Sequence, residues 1–130
     1  MTDFSFKREE KLKSLKVIQQ LFKEGKSFAV YPLRLVWTKM EIPDGAFPAK
    51  FALSVSKKSF PRAVDRNRIR RQVREAYRLN KHRLYEKLPG GEGQFALMVI
   101  YQAKEKMPQS QIEEAMKRLL KRFIKTLEAG

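Results

Sequence analysis

Residues 57–78 read KKSFPRAVDRNRIRRQVREAYR. Within them Ile69, Val73, Ala76 and Tyr77 recur at helical spacing, and at about 100° per residue these four share one face. Asn67, Arg71, Arg74 and Arg78, at i, i+4, i+7 and i+11, form a second face well separated from the first. The segment predicts a helix from about Ala63 to about Leu84, dry on one flank and presenting guanidinium groups on the other. Arg pairs with phosphate bidentately and stacks on bases, so an arginine flank suits nucleic acid better than a lysine flank. Between Lys57 and Arg83 stand eleven Lys or Arg and only two acids, Asp65 and Glu75. Uniform sign is self-repelling at i, i+3 and i, i+4 spacing, which points to a polyanion outside the chain that offsets it.

Outward from this helix the pattern changes period. Upstream, KFALSVS (50–56) alternates as a strand, with Phe51, Leu53 and Val55 on one side and Ala52, Ser54 and Ser56 on the other. Residues 31–39 predict another strand, with Leu33, Leu35 and Trp37 opposite Arg34 and Val36. Between the two, MEIPDGAFPAK carries two prolines and Asp44-Gly45, a loop or loose hairpin. Residues 14–24 predict a short helix capped by Ser14, with Leu15, Ile18, Leu21 and Phe22 as its apolar stripe and Gly25 as a left-handed terminator. Residues 1–13 are polar, with Phe4 and Phe6 the only aromatic groups, and are expected to be extended or partly ordered. Downstream, Pro89-Gly90-Gly91 breaks the chain, and QFALMVIY (94–101) predicts a strand buried on both faces. Ser110 and Glu113 form an S-x-x-E capping box for a last helix, with Ile112, Met116, Leu119, Phe123 and Leu127 on its apolar side. Its other side carries Lys117, Arg118, Lys121, Arg122 and Lys125, which read as a solvated face. The order is helix, two or three strands, helix, strand, helix: an α+β sandwich.

The chain of 130 residues has room for one domain, residues 1–130, burying roughly two-thirds of its unfolded surface. A formal net charge of +15 bounds the partners to nucleic acid or an anionic membrane. No apolar run reaches the roughly 18 residues of a spanning helix, and the N-terminus shows no secretory pattern. With no cysteine, disulfides, Cys-ligated zinc and thiol catalysis are excluded; a reducing, cytoplasmic setting is the expectation.

Two surfaces are candidate sites. At the start of the basic helix, Arg66, Asn67 and Arg68 lie beside Lys57, Lys58 and Arg62, where free helix N–H groups favour phosphate; capping by Asn67 or Asp65 is the alternative there. The second is the small, hydroxylated strand face of Ala52, Ser54 and Ser56 with Arg34 and Val36. If the first helix flanks it, Ile18 and Phe22 would wall a groove for a single RNA strand; packing of the face under a helix is the alternative. No catalytic residue is expected. The only histidine, His82, has basic neighbours and no carboxylate to orient it. The adjacent pairs Glu9-Glu10 and Glu113-Glu114 diverge on a helix, and no G-x-x-x-x-G-K-[ST] loop is present.

The combination SVSKK (54–58), AVDRNRIRR (63–71) and VREAYR (73–78) resembles the bacterial ribonuclease P protein subunit. The family hallmark is matched by Arg66-Asn67-Arg68-Ile69-Arg70-Arg71 on a helix after a strand ending in Ser-Lys-Lys. Leu12, Lys13, Ile18, Phe22 and Gly25 resemble its first helix, and the similarity runs from about residue 8 to about residue 104. The resemblance implies a single αβββαβα domain like domain 2 of ribosomal protein S5, with a left-handed βαβ crossover against the general right-handed rule of about 98%. It implies a 1:1 ribonucleoprotein of a monomeric protein with the catalytic RNA, and no membrane. That assembly removes the 5′ leader of precursor tRNA, the RNA performing hydrolysis with Mg²⁺ that it mainly holds itself. Lys57, Lys58, Arg62, Arg66, Asn67, Arg68, Arg70, Arg71, Arg74 and Arg78 are then expected to bind the catalytic RNA. Ile18, Phe22, Arg34, Val36, Ser54 and Ser56 are expected to line the leader groove. Many members carry an aromatic where Ile18 stands, and often one near Val36; both are aliphatic here, which leaves base stacking to Phe22.

Three other readings compete. A ribosomal or other structural RNA-binding protein would use the same helix. A helix-turn-helix regulator needs a helix before the basic one, whereas a strand and Ser59-Phe60-Pro61 precede it here. A free-standing nuclease would need a metal site that the scattered carboxylates do not suggest.

Overall fold

The computed structural model describes residues 10–40, 47–88 and 93–129. The expectations for residues 1–9, for the centre of the 40–50 connection and for Pro89-Gly90-Gly91 lie outside the described residues. The elements are α1 (Leu15–Glu24), β1 (Lys26–Val30), β2 (Leu33–Met40), β3 (Ala49–Val55), α2 (Ala63–Lys87), β4 (Gln94–Tyr101) and α3 (Gln109–Ala129). This is the expected αβββαβα order.

The four strands form one sheet in the order β1-β2-β4-β3. β1 pairs antiparallel with β2 and β2 with β4, whereas β3 runs parallel to β4. Parallel neighbours need a crossover, and α2 supplies it. The alternation in the sequence sets the layers. Phe28, Leu33, Leu35, Trp37, Phe51, Val55, Leu97 and Val99 face one way, into a core with α2 and α3. Val36, Met40, Ala96 and Met98 face the other way, under Leu12 and Leu21 of the α1 side. β4 is buried along both faces, as its unbroken apolar run predicts.

α2 buries the stripe expected of it: Ile69, Val73, Ala76 and Tyr77, continued by Leu84. The Tyr77 ring stacks on Phe51 at 3.9 Å between centroids and 8° between planes. α3 seats Phe123 edge-on against Trp37 and Phe95, at 5.1 and 5.7 Å.

Several local expectations are corrected. β1 was not distinguished by its own pattern, because KSFAV offers only Phe28 and Val30 to the core. β2 starts at Leu33, two residues later than expected; Tyr31 and cis Pro32 form the turn from β1. Ser14 caps α1, its hydroxyl accepting from the Val17 N–H at 3.3 Å. Gly25, however, is not left-handed: it is extended, at φ −65° and ψ 145°. Its role is close approach, since a Cβ there would strike the Leu21 carbonyl oxygen and lie 2.8 Å from Val36 Cγ1. α3 begins at Gln109, so Ser110 sits inside the helix and not at its cap. The Pro108 carbonyl instead accepts from Gln111 and Ile112. Gln109 is also held to α2, its side chain donating to the Gln72 carbonyl at 3.1 Å while Gln72 donates to the Met107 carbonyl.

The chain before α1 is more ordered than the sequence suggests from residue 10 onward. Lys11 bridges Phe51 in parallel, and the Leu12 N–H donates to the Phe51 carbonyl at 2.8 Å, so this arm lies along the open edge of β3. Glu10 anchors it. Its buried carboxylate receives Lys81 Nζ at 2.6 and 2.7 Å and the Tyr85 hydroxyl at 2.8 Å. Burial pushes the Tyr85 hydroxyl far above its ordinary range, so it remains a donor. Removing one member of a buried pair strands the other charge, at a cost of about 3–5 kcal/mol. Glu10→Ala should therefore destabilise the protein by that order in urea melts, and the double variant Glu10→Leu/Lys81→Met should recover most of it.

Candidate nucleic-acid interface

α2 owes its exposed flank to its buried one. With Ile69, Val73 and Tyr77 against the sheet, Arg68, Arg71 and Arg74 are exposed, and no carboxylate or carbonyl among the described residues engages Arg71 or Arg74. These two are the free forks of the expected arginine face. Arg78, at the end of that row, is half-buried, and its Nε donates to Glu75 at 3.1 Å. That hydrogen bond holds the Glu75 carboxyl below its ordinary range. Arg78 is thus partly committed within the helix.

The start of α2 departs from both capping readings. Arg62 occupies the cap position without a side-chain hydrogen bond to the helix. Asn67 is exposed, and its Oδ1 accepts from Arg70 at 3.2 Å. Asp65 turns to Lys106, whose Nζ lies 2.7 Å away and holds its carboxyl below the usual carboxylate range. Arg66 is half-buried and donates to the carbonyls of Phe60 and Pro61, both at 2.9 Å. It therefore builds the turn that presents the other cations. Lys57 and Lys58 are exposed on that turn, which closes when the Ser56 hydroxyl accepts from the N–H groups of Lys58 and Ser59. Lys57, Lys58 and Arg62 are exposed on the turn before α2, and Arg68, Arg71 and Arg74 are exposed along it.

The second candidate surface lies on the opposite face of the sheet. Strand register aligns Ser27, Val36, Met98 and Ala52 in one row and Ala29, Arg34, Ile100 and Ser54 in the next. α1 sits over β2 and β4, so Val36 is buried at 8% exposure and acts as floor under the helix; the expectation that it lines open space is corrected. Ser56 lies beyond the end of β3 and serves the turn described above. Ile18, Ala52, Ile100, Ser54 and Arg34 remain half-exposed in a strip beside α1, and Arg34 donates to the Ser27 hydroxyl at 3.0 Å. Phe22 stands 62% exposed on α1. An exposed ring beside a strip of small and polar side chains can stack a base. Ile100 was missed in the sequence because an unbroken apolar strand does not say which residues face which side.

Among the described residues no three His, Asp or Glu side chains lie close enough to hold a metal ion, and no helix is long and apolar enough to cross a membrane.

Comparison with known proteins is consistent in fold and sequence. A ribonuclease P family model matches residues 6–124. A ribonuclease P protein component of Porphyromonas gingivalis is 47% identical over 85 residues, covering 65% of this chain and 61% of that protein. The match thus spans less than two-thirds of that relative's length. The ribonuclease P protein component of Chlorobaculum tepidum is 35% identical over 103 residues, covering 75% and 67%. The solved RNase P protein of Thermotoga maritima superposes with a TM-score of 0.66 at 27% identity, covering 87% of this chain and 96% of that one. That of Staphylococcus aureus gives 0.66 at 26%, covering 87% and 94%. With Asn67, Arg68 and Arg71 of the motif exposed on α2 and a family model covering nearly the whole chain, this protein belongs to the ribonuclease P protein family.

Proposed function

We propose that this chain is the protein subunit of a ribonuclease P holoenzyme, binding the catalytic RNA through α2 and the 5′ leader of precursor tRNA beside α1. The observation that carries this reading is the pair Arg71 and Arg74, exposed and unengaged among the described residues, on a helix whose other flank is buried. Two polyanions repel each other, and a cation-rich wedge between them releases condensed counterions and lowers the metal concentration needed to join them. That work needs no catalytic side chain. The hydrolytic Mg²⁺ belongs to the RNA. The stoichiometry is one protein per RNA, in the cytoplasm.

The two surfaces divide the labour. Lys57, Lys58, Arg62, Arg68, Arg71 and Arg74 grip the ribose-phosphate chain of the catalytic RNA, with Arg66, Asn67, Arg70 and Arg78 shaping or extending that surface. Phe22, Ile18, Ser54 and Arg34 meet the leader, as a single strand on a stacking platform, over a floor that includes Val36.

The direct test adds purified protein to its catalytic RNA at low Mg²⁺ with leader-bearing precursor tRNA. Cleavage should rise many-fold with protein present, and protein alone should cut nothing; equal rates with and without protein would remove the proposal. Copurification of ribosomal RNA in place of a catalytic RNA would favour a structural ribosomal role.

Arg71→Ala or Arg74→Ala should weaken binding of the catalytic RNA by about 1–3 kcal/mol and lower the salt slope by roughly one unit, read by filter binding across a salt series. Phe22→Ala should leave thermal stability within about 0.5 kcal/mol, because the ring is exposed. It should cost about 1–3 kcal/mol in affinity for leader-bearing over leaderless tRNA, with assembly on the catalytic RNA unchanged in the same binding assay.

A further inference from the structure

The basic side of α3, which reads as one solvated face in the sequence, is divided in two by the structure. Arg118 pairs with Glu114 at 3.2 Å. Arg122 lies over the Phe28 ring at 4.6 Å and donates to the Ala29 carbonyl. Those two are engaged with α3 itself and with β1. Lys117, Lys121 and Lys125 turn the other way, toward α2, and none has a carboxylate partner among the described residues.

There they meet a second basic row. Arg83 and Lys87, one turn apart on α2, line the same cleft, are exposed and are equally unpaired among the described residues. The cleft between the two helices encloses about 460 Å³. Its apolar members, Leu120 and Ile124, are buried or half-buried, and so lie low while the charges stand higher. Glu86 and Glu128 also border it but form no ion pair with the lysines or with Arg83. Five cations and two carboxylates line one concavity, an excess of three positive charges, with no ion pair between them.

We infer that this α2–α3 cleft is a second phosphate-backbone site, occupied by the catalytic RNA, and separate from the arginine flank. The inference rests on the functional reading above. Arg83 and Lys87 lie roughly 120–180° around α2 from Arg71 and Arg74, and Arg83 lies about 14 Å along the helix beyond Arg74. One RNA strand does not meet both sets from one side, so the RNA wraps the two-helix layer. Lys117, Lys121 and Lys125 step at about 6 Å intervals along α3, which spreads their charge over a length that suits successive phosphates and not one small anion. Lys acts on phosphate as a point charge, so the site grips without reading bases. An anionic membrane is the poorer fit, since the apolar groups lie low in a cleft and not at its rim. The precursor's leader is the poorer fit among RNAs, because its groove lies across the sheet from the α2–α3 layer.

The test compares full-length protein with Lys117→Gln/Lys121→Gln/Lys125→Gln, which keeps helix propensity nearly constant. A control, Lys13→Gln/Lys16→Gln/Lys23→Gln, removes equal charge from the α1 side. Affinity for the catalytic RNA is measured across a salt series. At about 0.7–0.9 unit per contact, the cleft variant should flatten the salt slope by about two units or more and weaken binding at least tenfold, and the control should change the slope by less than half as much. Preference for leader-bearing over leaderless tRNA should be unchanged. An unaltered slope, or an equal change in the control, overturns the cleft site. Because the chain lacks cysteine, Lys121→Cys carries a single photo-crosslinker on an otherwise native surface, which serves even if the triple variant fails to fold. Crosslinks should form on the catalytic RNA; crosslinks only to precursor tRNA, or to no RNA, refute the site. If wild type binds and Arg71→Ala weakens it while the cleft variant does not, only this inference falls. If wild type does not bind the catalytic RNA, the functional reading falls with it.

Discussion

The seating of one flank of α2 on the sheet governs the rest of the molecule. A helix this rich in like charges repels itself, each i, i+4 pair costing a few tenths of a kcal/mol. Burying a large apolar side chain contributes about 1.5–3 kcal/mol, and Ile69, Val73, Tyr77 and Leu84 are all buried. Burial therefore outweighs repulsion, and it does so directionally. Once Tyr77 stacks on Phe51, the helix cannot rotate, and the arginines opposite are held outward at fixed spacing. The chain keeps a surface of high positive potential because a dry face on the same helix holds it in place.

The two-sided sheet keeps two exposed surfaces apart. α2 and α3 cover one face and α1 the other. The exposed cations of α2 thus lie across the sheet from the strip beside Phe22. The edge strand β3 would otherwise offer unpaired backbone to another chain. The Glu10–Leu12 arm takes up part of that edge, and Lys81 and Tyr85 hold the arm through Glu10. The anchor of the arm is thus on the same helix that presents the arginines, so the edge and the basic flank are organised together.

Not every cation in the chain is available to a partner. Arg66 is consumed by the carbonyls of Phe60 and Pro61, Arg78 by Glu75, Arg122 by β1 and Lys106 by Asp65. Those engaged groups shape turns and helix starts. Among the described residues, cations without carboxylate partners include two rows on these helices, the outer flank of α2 and the cleft it forms with α3, besides others such as Lys13, Lys16 and Lys23 on the α1 side. Exposed pairs contribute little stability, so the unpaired cations cost the fold little while concentrating positive field on these surfaces.

Period and composition alone determined much here. The alternation of 31–39 and 50–56, the stripe of α2 and the apolar run of β4 all survive in three dimensions, because each encodes which side of a local element is dry. The arginine flank was legible for the same reason. Tertiary structure decided what depends on neighbours distant in the chain. It made Gly25 a matter of space against Val36, sank Val36 beneath α1, gave Arg66 and Ser56 to the turn before α2, and joined Glu10 to Lys81 across most of the chain. It also split one basic side of α3 into paired arginines and free lysines. A one-dimensional pattern reports the period of burial along an element; which partner lies opposite is set only when the elements pack.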